Sequence, residues 1–105
     1  MNFTVIWSDF AASELDKIFE YYVENTSLKV ANNILSKILL EPNQILTYPE
    51  ITQTEELLID RESEYRYLIW SNYKIIYSID FETKRTLIAD VFDTRQNPTK
   101  MKRTK

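Results

Sequence analysis

The residues best placed to do chemistry are cations. Arg66 stands inside YRYLIWSNYKIIYSI, residues 65–79, a run that is otherwise almost wholly aromatic or β-branched. Such residues suit a pleated, half-buried surface, so Arg66 is expected in a strand. A cation there either lies at an edge in water or is placed to meet an anion. Its bland alternative is an ion pair with a neighbouring acid such as Glu64, worth little if exposed. A second group of cations closes the chain. Residues 95–105 carry five bases (Arg95, Lys100, Lys102, Arg103 and Lys105) and no acids, whereas residues 1–94 carry 8 Lys/Arg against 16 Asp/Glu. A body of charge −8 repels a polyanion, while the tail either reaches a phosphate or an acidic partner or is a frayed, solubilising terminus.

Composition excludes much else. The 105 residues contain no histidine, which removes the commonest general acid/base and metal ligand, and no cysteine, which removes thiolate sites and disulfides. No glycine is present either, so no phosphate-cradling glycine loop exists. No metal or cofactor is expected. Apolar runs are far too short to span a membrane and no leader opens the chain, so a cytoplasmic location without membrane contact is expected. A 105-residue chain is enough for one domain with a closed core.

The elements that must position Arg66 follow from periodicity. Ser71-Asn72 is the one turn-like dipeptide in the central run. Folding about it places Trp70 opposite Tyr73, Leu68 opposite Ile75 and Arg66 opposite Tyr77 on one face, with Tyr67–Ile76 and Ile69–Lys74 on the other. Asn72 is the expected residue for a positive φ, and a three-residue bulged loop is the register that competes. Upstream, residues 2–7 alternate as a strand, and Ser8 caps a helix reaching about residue 24 with Ala11, Leu15, Ile18, Phe19 and Tyr22 as its buried stripe. Glu14, Asp16, Glu20 and Glu24 read as its solvated face. Asn25-Thr26-Ser27 separates it from a second helix with Leu28, Ala31, Leu35, Ile38 and Leu39 in register, ending near Pro42. Residues 50–64 read as loop with one possible edge strand, and TLIADVF, residues 86–92, as the last strand. The expected fold class is α+β, an antiparallel sheet of about four strands with the αα-hairpin packed on one face, in the order β-α-α-β-β-β. Residues 1–98 form the domain and 99–105 the basic tail.

WSDFA entering the first helix, the proline after the second, the YRYLIWSNYKIIYSI hairpin and the closing DVFDTRQNP together resemble the RelE/ParE superfamily of type II toxin-antitoxin toxins. The resemblance implies a small cytoplasmic toxin silenced by an antitoxin, in a hetero-oligomeric complex. It also implies one of two activities: binding to DNA gyrase, as ParE-like members do, or ribosome-dependent cleavage of mRNA. A non-toxic domain that keeps the fold is the third reading. By the same resemblance Arg66 matches a strand arginine that acts near the scissile phosphate, Arg95 a basic residue after the last strand, and Asp93 a position where some members have histidine. Cleavage through an RNA 2′-hydroxyl needs a base, an acid and cations on the developing charge. Arg66 and Arg95, with Lys74 or Lys100, supply cations, and Lys102 and Arg103 extend the target-binding set. Asp93 is a poor base near its ordinary pKa, and Tyr77 or Tyr73 needs strong perturbation to serve.

Overall fold

A computed structural model describes residues 2–104. The chain runs β1 (Thr4–Trp7), α1 (Asp9–Asn25), α2 (Leu28–Leu40), β2 (Gln53–Thr54), β3 (Arg66–Trp70), β4 (Tyr73–Asp80) and β5 (Arg85–Asp93), with short 3-10 segments at Glu41–Ile45, Pro49–Ile51, Glu56–Leu58 and Pro98–Arg103. The expected α+β class holds. The five strands form one sheet in the order β1-β5-β4-β3-β2.

The hairpin register is the one expected from the two-residue turn, from Trp70 opposite Tyr73 through to Arg66 opposite Tyr77. The left-handed residue is Ser71, at φ 54°, rather than Asn72. Asn72 instead donates its side-chain amide to Asp93, which ties the turn to the end of β5.

Two features depart from a simple antiparallel sheet. β1 pairs with β5 in parallel, Thr4 beside Arg85 and Trp7 beside Ile88. Short connections make β3, β4 and β5 antiparallel, but β1 is separated from its neighbour by most of the chain and no tight turn dictates its direction. In addition, the β4–β5 ladder shifts register between Ile76 and Tyr77, leaving Ala89 as an extra residue on β5. This bulge resets the alternation, so that Ile88 and Val91, three apart, both face the helices, while Asp90 and Phe92 face the other side.

The helices are fixed by local capping and then by burial. Ser8 accepts a hydrogen bond from the Ala11 amide, and its own amide donates to Ile88 O, so the start of α1 is held against the sheet. Ser27 caps α2 through Val30. Ala11, Leu15 and Ile38 pack on Leu68, Ile75, Tyr77 and Val91 to make the main core. Each large apolar side chain buried there stabilises by about 1.5–3 kcal/mol. The opposite face is covered too: Leu58 and Met101 pack on Ile76 and Phe92. The segment expected as a basic tail is therefore docked, with Met101 and Thr104 each 1% exposed, whereas Lys105 lies outside the described residues. No helix among the described residues is long and apolar enough to cross a membrane.

Candidate functional site

Arg66 opens β3 at the rim of the helix-covered face. Its side chain is 18% exposed, and its guanidinium donates to the carbonyls of Glu50 (2.9 Å) and Thr52 (2.5 Å), with Glu64 at 3.4 Å. The expected ion pair with Glu64 is present, but the cation is turned onto backbone oxygens of its own chain rather than towards water. Opposite it, Tyr77 is fully buried and donates its hydroxyl to Pro49 O at 2.6 Å. Having given that one hydrogen away, it accepts from the Thr52 hydroxyl. Burial raises its pKa, so Tyr77 remains a neutral phenol. Arg66 and Tyr77 together hold residues 49–52 against the end of the hairpin.

Asp93 and Arg95 lie at the other end. Asp93 closes β5 opposite Tyr73, and its carboxylate accepts from the Arg95 backbone N–H (2.9 Å), Arg95 Nε (3.0 Å), an Arg95 terminal nitrogen (2.8 Å) and Asn72 Nδ2 (3.0 Å). The Arg95 hydrogen bonds, outweighing partial burial, hold the Asp93 pKa down to about 2, and the same pairing raises that of Arg95. A carboxylate so held is a weak proton acceptor. Tyr73 shares a 3.1 Å hydrogen bond with Tyr22, and burial first, then that neighbour, raises its pKa well above the usual phenol range. Arg66 stands opposite Tyr77, and Asp93 opposite Tyr73, four strand positions further on. At ~3.3 Å per residue this sets the two pairs about 13 Å apart along the sheet, with Arg95 held beside Asp93 and Arg66 held on Glu50 and Thr52. The structure does not bring them to one phosphate.

The remaining sequence-predicted cations are also dispersed. Lys74 points to the second face, 2.7 Å from Glu55 and over the Tyr67 ring at 4.3 Å. Lys100 and Lys102 are exposed on the Pro98–Arg103 turn. Arg103 crosses the edge of β5 that β1 leaves uncovered, lies between the rings of Phe10 and Phe92, and pairs with Glu14 (3.4 Å) and Asp90 (3.2 Å).

Glu14 and Asp90 are the residues that sequence reasoning missed. Glu14, expected on a solvated face, is 8% exposed, and Asp90 is 0% exposed and also accepts from the Thr104 hydroxyl at 2.8 Å. Glu14 lies three residues after Ala11 and four before Ile18, so helical spacing sets it on the apolar stripe, and an acid inside the strand TLIADVF requires a partner. Those were the available signals.

Where Arg95, Arg103 and α1 converge, an open groove of about 550 Å³ runs between α1 and the end of β5. Ile18, Tyr21, Tyr73 and Val91 give it an apolar and aromatic surface, and Lys17, Arg95 and Arg103 give it cations. Lys17 and Arg95 keep 71% and 61% of their side chains in water, so both remain available to a partner although each has an acid beside it. The groove is suited to receiving another surface by apolar contact and rim charges. Among the described residues no group of three metal-ligating side chains comes together.

The family model described as the ParE toxin of type II toxin-antitoxin system, parDE, matches residues 5–98. No curated protein matches the sequence. Among solved structures the fold is similar to a chain of the "Chromosomal ParDE TA system from P. aeruginosa", with a TM-score of 0.71 and 15% sequence identity over 87% of this chain and 95% of that one. At that identity the likeness speaks for the fold. The family match, spanning nearly all the residues that build the sheet, the helices and the groove, bears out the resemblance read from the sequence: the chain belongs to the ParE toxin family of type II toxin-antitoxin systems.

Proposed function

We propose that this toxin arrests growth by binding a protein target, DNA gyrase, in the cytoplasm, and that a cognate antitoxin neutralises it by forming a complex. The observation that carries this reading is the scattering of the chemistry. The two arginines suited to a scissile phosphate lie at opposite ends of the hairpin, each engaged by its own chain, and Asp93, the carboxylate beside Arg95, is made a weak proton acceptor by that pairing. Strand cleavage needs cation, base and acid around one phosphorus atom. Binding needs only a surface, and the α1–β5 groove offers apolar contact with two solvent-facing cations. An acidic chain, net charge −3, also has little to offer an RNA whose affinity comes from neutralised phosphates.

The test uses purified protein in two assays side by side: supercoiling of relaxed plasmid by gyrase, and translation with mRNA mapping in a ribosome extract. Inhibited supercoiling with intact mRNA is expected. Cleaved mRNA with unaffected gyrase overturns the proposal in favour of an endonuclease, and no effect in either, with harmless overexpression, in favour of a non-toxic domain.

A further inference from the structure

We propose that the free edge of β2 is a docking site for a second partner segment: an extended peptide whose basic and apolar residues alternate. β2 is the last strand of the sheet, with nothing paired beyond it among the described residues. The amide of Glu55 donates to Tyr65 O, and the pairing continues through Thr54–Arg66 to Gln53–Tyr67. In an antiparallel ladder alternate residues bond to the partner strand, so residues 53 and 55 face β3 and Thr54 turns its N–H and C=O outward. An added strand satisfies those groups. Two isoleucines flank this edge in water, Ile51 74% exposed and Ile59 76% exposed. Ile59 lines a half-open concavity of about 560 Å³ beside β2.

Charge selects the occupant. The concavity carries Glu55, Glu56, Glu62 and Glu64, and its one base is Arg61. That guanidinium is directed away, onto the carbonyls of Lys102 and Thr104. Glu55 is neutralised by Lys74 and Glu64 lies beside Arg66, but Glu56 and Glu62 are exposed and have no ion pair among the described residues. An acidic peptide is repelled there. A basic one can pair with Glu56 and Glu62 while its apolar residues cover Ile51 and Ile59. The surface lies on a different edge of the sheet from the α1–β5 groove, so its occupancy does not depend on which target the groove meets.

The test uses the full-length protein and a labelled synthetic peptide of alternating arginine and valine, with a glutamate–valine peptide and spermine as controls. Fluorescence anisotropy measures affinity and amide hydrogen exchange maps the contact. Binding of the basic peptide is expected, with slowed exchange at the Thr54 amide. The double variant Glu56→Gln/Glu62→Gln is expected to weaken binding about tenfold, whereas Glu20→Gln/Glu24→Gln on α1 leaves it unchanged. The proposal is overturned if Thr54 exchange does not change, if the two double variants weaken binding equally, if the acidic peptide binds as well, or if spermine displaces the peptide at matched charge concentration. A negative gyrase assay leaves all of these outcomes readable.

Discussion

Arg66→Ala is expected to cost the protein about 2–3 kcal/mol of stability, because the structure makes Arg66 a fastener. A hydrogen bond from a charged donor contributes roughly 1.5–3 kcal/mol, and Arg66 makes two to backbone carbonyls, of Glu50 and Thr52. Glu50 lies in solvent, so water replaces that bond at small cost; Thr52 is half-buried, so its carbonyl loses more. The Glu64 contact adds under about 1 kcal/mol, since 61% of that side chain is in water. For a domain of this size 1 kcal/mol shifts Tm by about 4–8 °C, so a fall of roughly 10–20 °C is expected, with faster amide exchange across residues 49–54. Arg66→Lys, which retains the charge and can keep one of the two bonds, should recover part of the loss. Thermal and urea unfolding measure this. The reasoning is refuted if Arg66→Ala keeps its Tm within about 2 °C while growth arrest disappears, since Arg66 would then act on a target rather than on its own chain.

Three further outcomes follow from the same structure. Arg103→Ala leaves the buried Asp90 and Glu14 carboxylates without their common cation and should destabilise by about 3 kcal/mol in urea unfolding, with part of the loss recovered by adding Asp90→Asn. The Asp93 pKa lies below its unfolded value, so its contribution, about 1 kcal/mol after solvent screening, is present above about pH 4 and is lost as pH falls towards 2; the stability gap between wild type and Asp93→Asn should narrow over that interval. Ser71→Gly relieves a left-handed backbone and should raise stability by about 0.5–1 kcal/mol, while Asn72→Gly, which deletes the bond to Asp93, should lower it.

The hairpin was legible in the sequence because one dipeptide interrupts fifteen residues of strand composition, and the period of two then sets every partner. The helices were legible because Ser8 and Ser27 stand directly before 3.6-residue stripes. What stayed hidden depends on partners distant along the chain. Glu14 looks solvated until Arg103 arrives from the other end, and Arg66 looks free until the backbone of residues 50 and 52 closes over it. The bulge at Ala89 shifts the inside–outside alternation, so no single period describes TLIADVF. The separation of Arg66 and Tyr77 from Asp93 and Arg95 follows from the antiparallel order, which sets the start of β3 and the end of β5 at opposite ends; what residue types could not show is that each arginine is engaged by its own chain.

Whether the α1–β5 groove is a binding surface is tested most directly by a gyrase supercoiling titration with Lys17→Gln/Tyr21→Ala. Lys17 keeps 71% of its side chain in water, Glu14 retains Arg103 when Lys17 is neutralised, and Tyr21 is 53% exposed with one edge contact to Tyr22, so the variant should stay folded, with a urea midpoint only slightly below that of the wild type. The wild-type protein is predicted to inhibit supercoiling and the variant to need at least about tenfold more protein for the same effect, as expected when an exposed aromatic anchor and a rim charge are lost together. Equal inhibition by the two proteins, or none by either, would contradict it.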